Sequence, residues 1–188
     1  MGKDTIIISN ELWISGDFTS LCNSEDVIDV VNWKNVKYIS MNKIDFENYT
    51  KEMILKSFSE LKKYGYSYKD ETKCNEETTY LFKNKYITLD ISTCFYENNK
   101  WNIIGSLLLY IRNNSTNEWF NIQDYFTQYK NIDYNDIPVD RRIYNTDNIE
   151  QQIDNYLKSV INILQTELLD VITGKKWIHV SMDWYGAK

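Results

Sequence analysis

The feature that most constrains this chain is an alternation of apolar and polar residues from Ile87 to Phe95. Ile87, Leu89, Ile91 and Phe95 fall on one side of an extended segment, and Thr88, Asp90 and Ser92 on the other. A repeat of two is the period of a strand with only one face in a core. An extended segment from Thr78 to Lys83 precedes it across Asn84-Lys85, and another from Trp101 to Ile111 follows Asn98-Asn99. Turns this short join antiparallel neighbours, so the sequence predicts a meander. The third segment is apolar at nearly every position and reads as a central strand covered on both faces. Gly105 within it marks a bulge or a close contact.

Two helical stretches can cover one face of such a sheet. In the first, Thr50 reads as the N-cap, Ile54, Phe58 and Leu61 share one face, and Gly65 stands at the C-cap. The second runs from about Asn148 to Thr173. Asp147 and Glu150 have capping-box spacing, and Ile149, Ile153, Leu157, Val160, Leu164, Leu168 and Val171 form a stripe that Gly174 ends. The expected fold is therefore α+β, an antiparallel sheet with two main helices packed on one face. Around this frame, Glu118–Phe126 and Lys176–Asp183 read as further strands, and the stretch holding Glu71-Thr-Lys73 as a polar loop. Thr5–Ser9 and Leu12–Ile14 read as a hairpin, Ser24 as the cap of a short helix, and Val36–Met41 as extended. The residues before Ile44 belong to one 188-residue domain or form a small N-terminal subdomain.

The residue kit of the common catalytic and metal sites is missing. His179 is the sole histidine, expected inside the last strand; Cys22, Cys74 and Cys94 are widely spaced, odd in number and read as free thiols. A Cys-His nucleophile would need Cys22 or Cys94 beside His179. No phosphate loop, dinucleotide turn or zinc knuckle is present, so no cofactor and no metal are expected. The net charge of -6 disfavours a nucleic-acid partner, whose affinity rests on Lys and Arg. No run approaches the roughly 20 apolar residues of a membrane span, and the start lacks the pattern of a secretory signal. These features place the expected protein in the cytoplasm. Carboxylate-only chemistry stays open, because a glycosidase needs two acids and aromatic platforms. A carboxylate-based hydrolase or a carbohydrate-binding domain is the alternative to a non-catalytic binder.

The most suggestive region runs from Asp124 to Asp154. Acids interleave there with tyrosines along a stretch, Gln128–Thr146, that holds the sole proline, Pro138. Loops this long inside a domain are usually functional. Tyrosine offers a rigid contact surface with a polar tip, and carboxylates steer a basic partner. Asp133, Tyr134, Asp136, Asp140 and Tyr144 are the candidate partner-binding residues.

A layout can also be compared. The helix is followed by Leu61-x-x-x-Gly65-Tyr66, a polar loop, Thr79-Tyr80-x-Phe82-x-Asn84, the strand around Ile87 and later a long helix. This order, over roughly residues 50 to 173, resembles small bacterial α+β immunity proteins of polymorphic toxin systems. The resemblance implies an acidic, cytosolic, non-catalytic protein that neutralises a basic toxin by binding it. It transfers no site residue, because such proteins share layout rather than a motif.

Overall fold

The three expected strands of the meander are present, with two more that the pattern does not announce, in a computed structural model that describes residues 41–98 and 102–180. Strand β1 (Ser67–Cys74) pairs with β2 (Glu77–Lys83), β2 with β3 (Ile87–Asn98), and β3 with β4 (Ile103–Asn113), all antiparallel. β1 corrects the reading of a polar loop. It is an edge strand exposed along nearly its whole length, so it needs no apolar alternation and gives no periodic signal. Asn75 takes a left-handed conformation (φ 55°) in the tight turn between β1 and β2.

The far edge of β4 is shared. β5 (Trp119–Asn121) pairs with Tyr110–Arg112 at one end, and β6 (Arg142–Tyr144) pairs with Ile103–Ser106 at the other. The strand expected over 118–126 is thus cut short at Asn121. The Asn121 side chain accepts the Asp124 N–H at 2.8 Å and starts a helical turn, α2 (Ile122–Asp124), which passes into a π-helical turn at Tyr125–Tyr129.

Both expected main helices form, with different ends. α1 (Lys43–Phe58) is capped by Asn42, whose side chain accepts the Asp45 N–H at 3.0 Å. Thr50 is inside the helix, fully buried, and returns its hydroxyl to the Phe46 carbonyl at 2.6 Å. α3 (Ile149–Thr166) has Asn148 at its N-cap rather than the expected Asp147-Glu150 box, and Gln152 donates to the Asn148 side-chain oxygen at 3.0 Å. The helix breaks at Glu167-Leu168 and resumes as α4 (Leu169–Ile172), after which Gly174 (φ 72°) turns the chain.

α1 and α3 pack together on one face of the sheet. Ile54, Phe58 and Leu61 from one side and Ile153, Leu157, Val160 and Leu164 from the other meet Leu89, Ile91, Leu107, Leu109 and Ile111, all buried. Phe58 stacks on Phe82 with ring centroids 4.7 Å apart. Gly105 combines both expected roles. The β4–β6 pairing shifts register beside it, and a Cβ there would sit 2.6 Å from the Cys94 carbonyl and 2.8 Å from the Phe46 ring. On the opposite face Ser106, Leu108 and Tyr110 are only half-buried, so the expectation of a strand fully covered on both sides holds for the helix face alone.

Lys176–Val180 carries no strand pairing, against the expected last strand, whose remaining residues lie outside the described ones. The N-terminal hairpin, the helix after Ser24, Cys22, the extended segment up to Ile39 and the alternative of an N-terminal subdomain also lie outside them; Met41 pairs in no strand. Among the described residues no helix is long and apolar enough to cross a membrane.

Candidate binding surface

The shared edge of β4 builds the candidate surface. Because β5 and β6 occupy its two ends, the chain between them must arch across the middle. The Leu107 N–H donates to the Arg141 carbonyl at 2.9 Å. From Leu108 to Leu109 no described strand pairs with this edge, β3 lying on the other side. Two buried polar groups of the β5–β6 connection and α3 lack partners. Gln123 is 6% exposed and neither amide atom has a hydrogen-bond partner; Tyr156 is 4% exposed and its hydroxyl has none. Burial pushes the Tyr156 phenol well up, against a smaller downward pull from the nearby Leu109 N–H and the Arg141 charge. Next to Gln123 opens a cavity of about 110 Å³, walled by Tyr134, Asn135, Ile137, Val139, Asp140, Arg141 and Arg142.

The five residues singled out by sequence divide into two groups around this cavity. Asp133 accepts the Asn135 N–H at 2.9 Å and the Asn135 side-chain amide at 3.0 Å, closing a 3-10 turn at Tyr134–Asp136. That turn leaves Asp133 and Asp136 exposed and Tyr134 41% exposed over the cavity rim. Asp140 and Tyr144 instead form a closed network with Arg142. The Arg142 Nε donates to both Asp140 oxygens at 2.9 and 3.2 Å, its terminal nitrogen and backbone N–H add bonds at 2.9 and 3.0 Å, and the Tyr144 hydroxyl donates at 3.2 Å. Burial works against the Asp140 charge, but the Arg142 hydrogen bonds, its charge and the Tyr144 hydroxyl outweigh it and hold the carboxyl below its ordinary range. Tyr144 is anchored in turn by Gln152, which accepts its N–H at 2.9 Å and donates to its carbonyl at 3.1 Å. Asp140 therefore pairs its charge with Arg142 at the surface, and Asp133 and Asp136 carry charge with no ion pair among the described residues.

The acidic character continues onto the helices. Asp147 and Glu150 are exposed, and Asp154 accepts the Tyr49 hydroxyl at 3.2 Å. Burial first, then Asp154, Glu150 and Glu52, push the Tyr49 phenol up to about 12. Among the described residues, none of Asp133, Asp136, Asp147, Glu150 and Asp154 forms an ion pair with a basic side chain.

Sequence reasoning missed Gln123, Arg141 and Tyr156 as neighbours of this surface. Gln123 carried one signal, an amide set among Ile122, Tyr125 and Phe126, where a polar side chain needs a reason to be buried. Arg141 and Tyr156 gave none, because only the fold brings Arg141 near both Tyr156 and Asp124, whose carboxyl is raised by burial against the Asn121 N–H and Arg141.

The weaker sequence candidates are placed as follows. His179 is exposed rather than held in a strand, and its Nδ1 lies 3.1 Å from Glu118. Both border a groove of about 520 Å³ with Trp119 and Trp177. Cys94 pairs with Ser106, whereas the His179–Glu118 end of the molecule adjoins Arg112, about 20 Å further along β4 at the usual strand rise. Cys94 therefore cannot serve as the partner of His179. Glu71 and Lys73 lie on β1, not in a loop, and each is tied to α1: Lys51 to Glu71 at 2.5 Å and Lys73 to Glu47 at 3.3 Å.

Comparison of the chain with protein-family models, with curated proteins and with solved structures finds no match.

Proposed function

We propose that this chain is a cytoplasmic, non-catalytic binding protein that captures a basic protein partner, a toxin of the kind held in check by an immunity protein being the class that fits. The observation that carries the reading is the pair Asp133 and Asp136. They stand exposed on either side of exposed Tyr134 and, like Asp147 and Glu150, form no ion pair among the described residues. Aromatic contact area ringed by outward carboxylates suits a docking surface that draws in a positively charged protein. Asp140 and Tyr144 flank it, tied to each other and to Arg142.

The test is co-expression with the product of the adjacent open reading frame, followed by association kinetics. A basic product that binds, with an on-rate lowered roughly tenfold by Asp133→Lys/Asp136→Lys and by added salt, supports the reading. A neighbour that does not bind, or an on-rate indifferent to both changes, refutes it.

A second reading has one observation behind it. The groove between Trp119 and Trp177 offers aromatic platforms beside Glu118 and His179, the dress of a carbohydrate-binding site. Among the described residues Glu118 is the one carboxylate in its wall, where a glycosidase requires two. Quenching of tryptophan emission by soluble oligosaccharides, lost in Trp119→Ala, would establish this reading in place of the first.

A further inference from the structure

We propose that the end of the molecule around Asn84 is a docking surface for single-stranded nucleic acid, its lysines taking the phosphates and Tyr86 stacking on a base. This goes beyond the proposed function and uses none of its residues.

The fold gathers a charge that the chain disperses. The Asn84 side chain donates to the Tyr64 and Ile172 carbonyls and so ties three segments together. Those segments, residues 59–65, 83–86 and 170–176, hold six exposed lysines, Lys62, Lys63, Lys83, Lys85, Lys175 and Lys176, against two acids, Glu60 and Asp170. Asp170 pairs with Lys175 at 3.7 Å, and the other five lysines form no ion pair among the described residues. No run of sequence announces the patch, because each segment brings only two lysines.

Tyrosines are interleaved with this charge. Lys63 Nζ lies 5.1 Å from the Tyr64 ring centroid, and Lys85 Nζ lies 5.3 Å from that of Tyr86. Tyr86 is 45% exposed and yet held in place. The Asn84 side-chain oxygen accepts its N–H at 2.8 Å, the Asn114 N–H donates to its carbonyl at 2.9 Å, and a Cβ on Gly174 would sit 2.4 Å from its ring. The lysine backbones are fixed as well. The Lys62 carbonyl accepts the Gly65 N–H at 2.9 Å, and the Lys175 and Lys176 N–H groups donate to the Asp170 carbonyl at 2.9 and 3.1 Å. Little ordering is left to do when a partner arrives.

The chemistry of that partner follows. The three segments contain no arginine. Lysine is a point charge without the planar fork of arginine, and it is depleted at protein–protein interfaces. A phosphate backbone asks for less: a cation near each phosphate releases counterions, and that release supplies the affinity. An anionic lipid surface would also take the charge, but it calls for apolar side chains that insert, and Tyr86 is the one large hydrophobic residue exposed in these segments. A duplex shows its base edges only in its grooves, and this end is built of turns rather than of a helix that could enter one. A single strand presents phosphates and open base faces together, which match lysines and an exposed ring. The net charge of -6 belongs to the whole chain. At roughly 0.1 M salt a charge acts over about 10 Å, so this end meets a strand with its local positive charge.

The experiment is fluorescence anisotropy of a fluorescein-labelled oligothymidylate of about 12 nucleotides, titrated with the full chain at low and at raised salt. Binding is expected with a Kd on the order of 10 μM that weakens steeply as salt is added. Lys63→Glu/Lys85→Glu/Lys176→Glu should weaken it roughly tenfold or more and flatten the salt dependence. Tyr86→Ala should weaken it roughly tenfold with the salt dependence unchanged, because it removes a stacking face and no charge. Tyr86→Leu keeps an apolar side chain against Gly174 and is the second variant should the first fail to fold. Absence of binding at low salt, or binding that either set of substitutions leaves unchanged, overturns the proposal. Equal affinity for inorganic polyphosphate, which has no base to stack, overturns the assignment to nucleic acid. Tighter binding to the duplex with oligodeoxyadenylate overturns the single strand, and capture by phosphatidylserine vesicles without binding of the oligonucleotide replaces it with a membrane surface. Asp133→Lys/Asp136→Lys should not weaken the oligonucleotide, so this surface and the acidic one stand or fail separately.

Discussion

Two buried carboxamides in this molecule have opposite surroundings. Asn84, 8% exposed, sits in the turn between β2 and β3. Its nitrogen donates to the Ile172 carbonyl at 2.8 Å and the Tyr64 carbonyl at 3.3 Å, and its oxygen accepts the Tyr86 and Ile87 N–H groups at 2.8 and 2.7 Å. Gln123, 6% exposed, has no partner at all. The same functional group is a fully used structural tie under the helices and an unused one at the split edge of β4. The difference shows that burial alone does not make a carboxamide part of the fold's hydrogen bonding.

The comparison can be attacked first where the fold is finished. Phe46 is fully buried, packs on Phe95 at 5.5 Å between ring centroids and fills the space that Gly105 leaves open. Phe46→Ala should cost about 3–5 kcal/mol of unfolding free energy, read by chemical denaturation. Asn84→Leu comes next. It leaves the Tyr86 and Ile87 N–H groups without their acceptor and should cost about 2–4 kcal/mol.

Two carboxyls sharpen the contrast through their opposite pH response. Asp140 is held below its ordinary value, so its stabilising contribution is complete above the unfolded-state pKa of about 3.9 and is lost as pH falls through the lower folded value. Asp124 is raised by burial, so its contribution is present below about 3.9 and is lost as pH rises through the higher folded value. Asp140→Asn should therefore lower the melting temperature at pH 7, with the deficit closing toward pH 3. Asp124→Asn should raise it at pH 7, with the gain closing in acid. Both groups keep contact with solvent, so each effect should stay under about 1 kcal/mol. Parallel thermal melts from pH 3 to 7 give the signs directly.

What the sequence could announce was periodic. β2, β3, β4, α1 and α3 each bury one face against a common core, and their alternation or stripe is the imprint of that burial. β1 escaped because an exposed edge strand imposes no pattern on Ser67–Cys74. The helix starts escaped for a different reason: Thr50 has the chemistry of a cap and uses it inside the helix, while Asn42 caps a first turn, Lys43-Ile44-Asp45, whose Ile44 is exposed and belongs to no buried stripe. At the candidate surface, the acid-and-tyrosine stretch was legible, and Tyr134 and Asp140 do reach one cavity. The split of the Asp140 charge from those of Asp133 and Asp136 was not, since it depends on the Arg142 side chain folding back on residue 140. Gln123 offered one signal, an amide in an apolar run, but its lack of partners among the described residues shows only in the fold.

The central claim, that the Gln123 amide does not hold the fold together as the Asn84 amide does, meets its most direct test in the thermal unfolding of Gln123→Met beside wild type and Asn84→Leu. A carboxamide without partners contributes nothing to the fold that methionine of similar shape would not supply. The account predicts a melting temperature equal to or above wild type for Gln123→Met, while Asn84→Leu falls by many degrees. A fall in Gln123→Met comparable to that of Asn84→Leu would show that the amide holds the fold together, and would contradict the claim.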